Sequence, residues 1–246
     1  MRKLVAALAC RANGTRLYGK PLQLLDIERR VSVLDYMIAM LRRQDAIGEI
    51  VLGVSHGTAN EVFHEIAGAA GLTSIRGDER DLLQRLIQCG EAAGATDIFR
   101  VTTESPFTYF EAIAEVWTRH QEHGNDVTVI DGLPDGCNFE IFTIEALRRS
   151  HERGDARHRS ELCSLYIREH RDEFTVEVAP VPAALQRGDL RLTIDYPEDL
   201  ILCRRVYERL AALAPAIPLD RIVALIDSEP GLAALVAPYA SQTRLY

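Results

Sequence analysis

Leu4-Val5-Ala6-Ala7-Leu8 runs directly into Ala9-Cys10-Arg11-Ala12-Asn13-Gly14-Thr15-Arg16-Leu17-Tyr18-Gly19-Lys20-Pro21. The first five residues read as a buried strand, and the loop after them gathers two glycines, two arginines and a lysine. Such a loop suits a phosphate: glycines let the backbone come close, its N–H groups face the anion, and the cations neutralise it. Gly14 to Lys20 also satisfies G-x-x-x-x-G-K, the first part of a P-loop, which needs Ser or Thr next to reach magnesium. Pro21 stands there instead, and Pro21-Leu22-Gln23-Leu24-Leu25 reads as extended rather than as a helix start. A P-loop kinase or ATPase is disfavoured on that ground. The dinucleotide fingerprint G-x-G-x-x-G is absent.

Outward from the loop, short apolar runs alternate with amphipathic segments. Ser32 to Gln44 has helical periodicity, with Ser32 and Asp35 as a capping box. Glu49 to Ser55 reads as a buried strand, Thr58 and Glu61 open a helix through Ala70, and Thr73 to Arg76 is a short strand. Asp81 to Ala93 is helical, Asp97 to Thr102 a strand, Tyr109 to His120 a helix and Asp126 to Ile130 a strand. This alternation predicts an α/β fold, a mostly parallel central sheet with helices on both faces. Ligands of such sheets bind beyond the carboxyl ends of the strands. The phosphate loop, Ser55 and the Thr102–Pro106 turn all fall there.

The second half is less regular. Asn138 to Thr143, Asp172 to Val178 and Leu190 to Ile194 read as strands, and Ile144 to Arg153 as a helix. Pro197 opens another helix at a favoured position, and the Ala/Leu/Pro-rich tail from about Ala212 reads as helical. No repeat or linker divides the chain. One domain is expected over 1–246, with 206–246 as a helical extension.

Composition narrows the function. A 47% hydrophobic content in 246 residues supports a real core. Acidic residues outnumber basic ones, 36 to 28, for a formal charge of −8, which argues against a nucleic-acid surface. An anionic small ligand stays compatible, because the loop is locally basic. The five cysteines (Cys10, Cys89, Cys137, Cys163, Cys203) form no C-x-x-C pair, so neither a disulfide framework nor a zinc knuckle is indicated. The first apolar run is too short for a signal peptide, and no run reaches membrane-spanning length. A cytoplasmic protein with no membrane partner is expected.

Five segments in order carry a resemblance. The loop resembles the R-x-x-S-x-R-L-P-x-K signature of the cytidylyltransferases that activate acidic sugars, including the acylneuraminate, Kdo and spore-coat polysaccharide groups. Arg11, Arg16, Leu17 and Lys20 occupy the corresponding places, Thr15 supplies the hydroxyl, and Tyr18 stands where proline is common. Arg76-Gly77-Asp78-Glu79-Arg80-Asp81-Leu82-Leu83-Gln84-Arg85 resembles R-G-[polar]-x-x-D-V-L-x-R. Arg100 to Pro106 parallels R-I-T-A-D-C-P, and Pro134 to Glu140 parallels P-D-G-x-x-x-E. Leu190 to Leu200 is similar to R-L-T-V-D-T-P-E-D-L. Together they span roughly residues 4 to 205.

The resemblance implies a nucleotide-diphospho-sugar transferase architecture and a transfer of CMP from CTP to an anionic acceptor, an acidic sugar, sugar phosphate or phosphonate. It implies that Arg11, Arg16 and Lys20 stabilise the triphosphate held by Ala12, Asn13, Gly14 and Thr15. Arg76, Gly77, Asp81, Arg85 and Thr102 would complete the nucleotide site. Asp135, Asn138, Glu140 and Arg159 would meet the acceptor, although His158-Arg159-Ser160-Glu161 departs from the family's E-R-E-H stretch. Arg159 reads equally as the solvated start of a charged helix. Glu104, where relatives carry aspartate, and Asp195 would hold Mg²⁺. Asp195 also fits a helix N-cap before Pro197, and Asp199 compensates a helix dipole. Cys137 and Cys163 read as packing residues, and His120, His123, His151 and His170 as exposed helical positions without a role. A homodimer accords with relatives. The same fold with another nucleotide, or a non-catalytic nucleotide binder, are the alternatives.

Overall fold

β1 (Leu4–Cys10) is buried from both sides because its side chains alternate. Leu4, Ala6, Leu8 and Cys10 join one apolar cluster, while Val5 and Ala7 join the other. The computed structural model describes residues 2–160 and 162–239. Glu161 and positions 240–246 of the expected extension lie outside them.

The chain continues through a small separate hairpin, β2 (Leu24–Asp26) and β3 (Val31–Ser32), into α1 (Val33–Leu41). Then follow β4 (Glu49–Ser55), α2 (Glu61–Ala70), β5 (Thr73–Gly77), α3 (Leu82–Ala92) and β6 (Asp97–Arg100). α4 (Ile113–Glu122), β7 (Val127–Ile130), β8 (Glu140–Thr143), α5 (Ile144–Arg153), α6 (Leu165–Glu169) and β9 (Val176–Ala179) come next. α7 (Pro197–Leu210), α8 (Leu219–Ser228) and α9 (Pro230–Val236) close the described chain. The seven-stranded sheet has the order β5-β4-β1-β6-β8-β7-β9. It is parallel except for β8, which runs antiparallel to both β6 and β7.

α3, α5 and α6 cover one face through Leu83, Leu86, Leu147 and Ile167. The other face takes α1, α2, α4 and α7 through Met37, Phe63, Val116 and Val206. α8 and α9 add Ile222, Ile226, Leu232 and Val236 to that same cluster. Each such large side chain contributes about 1.5–3 kcal/mol by leaving water. No single helix among the described residues is long and apolar enough to cross a membrane; α8 and the segment Pro230–Tyr239 pass such a test only as a pair bent by 99°.

Three expectations change. Leu190 to Ile194 forms no strand: Asp135 and Arg191 make one isolated parallel bridge, and Ile194 N–H donates to the Glu104 carbonyl (2.9 Å). Lys20–Leu22 is a 3-10 turn, so only Leu24 onward is extended in the segment after the loop. His120 is fully buried, with its ring nitrogens against Thr128 Oγ1 (2.9 Å) and Asp97 Oδ1 (3.1 Å). The polar residues around His120 imply exposure, but α4 turns this position inward with Ile113 and Val116.

Candidate active site

A cleft of about 810 Å³ opens at the carboxyl ends of β1 and β6, lined by the loop after β1, the Arg100–Glu104 segment, Arg80, Arg85 and Asp195. The loop is closed at its base. Gly19 N–H donates to the Ala12 carbonyl (2.7 Å), and Ala12 N–H donates to Asn60 Oδ1 (2.7 Å). Gly19 has φ +58°, a left-handed conformation that glycine adopts without strain. At Gly14, a Cβ would lie 2.2 Å from the Leu17 carbonyl oxygen, so any side chain would force the loop apart. The two glycines of the motif thus fix a tight bow that leaves Arg11, Asn13, Thr15 and Arg16 on the cleft wall.

The loop cations meet a carboxylate already. Asp195 Oδ1 accepts from Lys20 Nζ (2.6 Å) and Arg16 Nη2 (2.8 Å), and its Oδ2 accepts from Arg191 Nη2 (2.6 Å). Arg191, 6% exposed, also donates to Asp199 Oδ1 from Nε (2.9 Å) and to Asp135 Oδ2 from Nη1 (2.6 Å). Asp199 Oδ2 in turn accepts from the backbone N–H groups of Asp195 (2.8 Å) and Tyr196 (2.9 Å). Tyr196, not Asp195, is the N-cap of α7, because Pro197 occupies the first helical position. The Asp195 carboxylate is therefore turned away from helix capping and into the cleft.

Glu104 sits beside it through the bond between Ile194 N–H and its carbonyl. The two carboxylates have opposite tendencies. Burial pushes the Glu104 acid above the ordinary value, with Lys20 opposing and Asp195 adding to the rise. Burial also raises Asp195, but the bonds from Lys20 and Arg191 outweigh it and hold that carboxyl below its ordinary value.

The other expected residues divide. Thr102 lines the cleft and pairs its hydroxyl with Ser105 (2.6 Å). Arg85 reaches it as a brace: its Nη1 donates to Ser55 Oγ (2.6 Å) and to the Gly53 carbonyl (3.2 Å), while Nε has no partner. Arg76 does not reach the cleft; it points to α2 and donates to Glu61 Oε2 (2.7 Å). Successive strand residues face opposite ways, and Gly77 faces Arg85 on α3 instead. Asp81 caps α3 by accepting from Gln84 N–H (2.9 Å) and meets His151 (2.8 Å).

On the acceptor side, Glu140 holds Arg100 (3.1 Å), whose segment forms part of the cleft wall, and Asp135 is engaged by Arg191. Asn138 keeps its side-chain oxygen buried without a partner. Arg159 is a tie rather than a cleft group. Its guanidinium donates to the His151 carbonyl (3.0 Å), and its own carbonyl accepts from Leu82 N–H (2.8 Å). Ser160 and Leu162, just beyond it, line the cleft. Cys137 and Cys163 are buried, and burial raises both thiols, Cys163 to about 11, which suits packing rather than nucleophilic attack.

The cytidylyltransferase family profile matches residues 5–228. The chain belongs to this family. It is 26% identical over 247 residues to the spore coat polysaccharide biosynthesis protein SpsF of Bacillus subtilis, covering 95% of this chain and 98% of that one. Its fold is shared with a cytidylyltransferase from Leptospira borgpetersenii, at TM-score 0.85 and 19% identity over 95% and 97% of the two chains. It is also similar to a CMP:2-keto-3-deoxy-manno-octonic acid synthetase complexed with CTP, at TM-score 0.63 and 12% identity over 84% and 99%. Residues that escaped assignment from sequence include Arg80, which lines the cleft, and Arg191, which stands outside its lining but holds Asp195. The i, i+4, i+8 spacing of Arg191, Asp195 and Asp199 was the available signal for the second.

Proposed function

We propose that the chain transfers CMP from CTP to an anionic acceptor, an acidic sugar, sugar phosphate or phosphonate, and releases pyrophosphate. The supporting observation is the meeting of Arg16 and Lys20 with Asp195, beside Glu104, in one cleft at the strand ends. A triphosphate brings oxygens that can replace Asp195 as partners of these cations. The acceptor oxygen attacks the α-phosphorus; the new P–O bond forms as the bond from that phosphorus to the pyrophosphate oxygen breaks.

Arg11, Arg16 and Lys20 hold the charge that grows on the departing phosphates, fixed donors in place before the reaction starts. The Asn13–Thr15 backbone lets those phosphates approach, since Gly14 presents no side chain. Glu104 and Asp195 supply hard oxygen donors without histidine or cysteine, and no cluster of three or more metal-ligating side chains occurs among the described residues. That set fits Mg²⁺, which is commonly held by one or two carboxylates with substrate phosphates completing its shell. Magnesium, when bound, neutralises phosphate charge as pyrophosphate leaves. The reading also places the protein in the cytoplasm, where CTP is available.

The test is pyrophosphate release from CTP, UTP, GTP and ATP, with and without Mg²⁺, across a panel of acidic sugars, sugar phosphates and phosphonates. Release confined to CTP and dependent on magnesium supports the proposal. Release with another nucleotide keeps the mechanism and changes the base. Tight nucleotide binding with no release under any acceptor favours a binder that kept the fold.

A further inference from the structure

Arg16 extends from the loop with 46% of its side chain exposed, and apart from Asp195 it meets Tyr196, whose hydroxyl accepts from its Nη1 (3.5 Å). Its guanidinium carbon lies 4.9 Å from the centroid of the Tyr196 ring, within cation–π range. That ring is supported by a residue far along the chain: Tyr239 stacks on Tyr196 with centroids 4.1 Å apart and planes 13° from parallel. Tyr239 reaches this position because α9 is anchored by buried Leu232 and Val236, and the turn Ala237–Tyr239 follows it directly.

We propose that Tyr239 is a positioning residue for the phosphate-binding loop. It fixes the Tyr196 ring on which the Arg16 guanidinium lies, and so makes the C-terminal extension part of the site that receives a triphosphate. The inference rests on the phosphate role of the loop in the reading above. An arginine on a glycine-bearing loop samples many rotamers in isolation. A stacked platform leaves its planar fork in one orientation, so less freedom is lost when phosphate oxygens take it. When those oxygens displace Asp195 as partner, the stack is the contact that still holds Arg16 in place.

The experiment is a double-mutant cycle read by calorimetry, with CTP and with inorganic triphosphate as ligands. Tyr239→Leu should weaken both by about three- to tenfold, and Tyr196→Leu should do the same. Tyr239→Phe keeps the ring and should restore the affinity. In an Arg16→Ala background, Tyr239→Leu should have no further effect, because the group it positions is gone. A loss of affinity that persists in the Arg16→Ala background, or an unchanged affinity in Tyr239→Leu, overturns the proposal. Wild-type binding of inorganic triphosphate but not of CTP removes the cytidylyl reading while leaving the cycle to decide the role of Tyr239. Binding of neither ligand overturns both.

Discussion

At the amino ends of the strands, Asp97 accepts from Arg2 and lies against His120; His120 meets Thr128, and Asn125 links Thr128 (2.9 Å) to Glu177 (2.6 Å). Glu177 also takes Arg119 and His123. At the carboxyl ends, Arg16 and Lys20 converge on Asp195, Glu104 stands beside it, and Arg85 keeps an unpartnered buried Nε. The side-chain types are much the same. In the first region buried Asp97, His120, Asn125 and Thr128 and the more exposed groups around Glu177 satisfy one another and close that end of the sheet. In the second they face an open cleft, and burial works against the ionised form of one carboxylate, Glu104. Charge density alone therefore marks neither structure nor function; what separates the two regions is whether the paired groups are enclosed or line an open cleft.

The sharpest way to break this contrast is at the closed end. Asp97→Ala removes the buried carboxylate that pairs with Arg2 and accepts from fully buried His120, and losing one partner of a buried ion pair costs about 3–5 kcal/mol. The expected result is a melting temperature lower by roughly 10 °C, with CTP affinity of the folded protein unchanged. Thermal denaturation and calorimetry check it together. At the open end the signs reverse. Lys20→Ala should lower turnover by about 10²–10³, the scale seen when a fixed electrostatic donor is removed, with only a small change in melting temperature. Equal turnover in that variant would remove the loop from the mechanism.

Glu104→Gln sharpens the comparison further. Because burial raises the Glu104 acid, its ionised form destabilises the ligand-free fold: the favourable contribution is present at low pH and lost as pH rises through the raised value. The glutamine variant should therefore lose less stability than wild type as pH rises through that raised value, while losing magnesium-dependent turnover. Glu177 has the opposite sign. Burial raises it, but bonds from His123, Arg119 and Asn125 prevail and bring it down to about 2 from the ordinary 4.5. Its contribution is full above the ordinary value and disappears as pH falls toward about 2. Melting curves of Glu177→Gln across that acid range should show a flatter decline than wild type, the smallest effect of the four.

Much of the fold could be read from the chain because its signals were local. Glu49–Ser55 and Ile144–Arg153 appear at the expected bounds, and the Ser32–Asp35 capping box forms as read. Leu190–Ile194 failed because its apolar alternation reflects packing under α7, where Leu192 and Ile194 are buried, rather than pairing along a sheet. The direction of β8 was illegible, since no residue pattern states which neighbour a strand chooses. At the site, the loop was legible because Gly14 and Gly19 serve the backbone itself. Arg76 was misleading because a motif names adjacent residues while a strand sends them to opposite faces. The partners of Arg191 were hidden for a related reason: Asp135 comes from a segment 56 residues away.

The most direct measurement is calorimetric binding of CTP, UTP, GTP and ATP to the purified chain, each with and without Mg²⁺. Selective CTP binding that magnesium strengthens is expected, as cations and carboxylates of the cleft exchange their mutual contacts for phosphate and metal. Binding to none of the four, or affinity for CTP indifferent to magnesium, would contradict it.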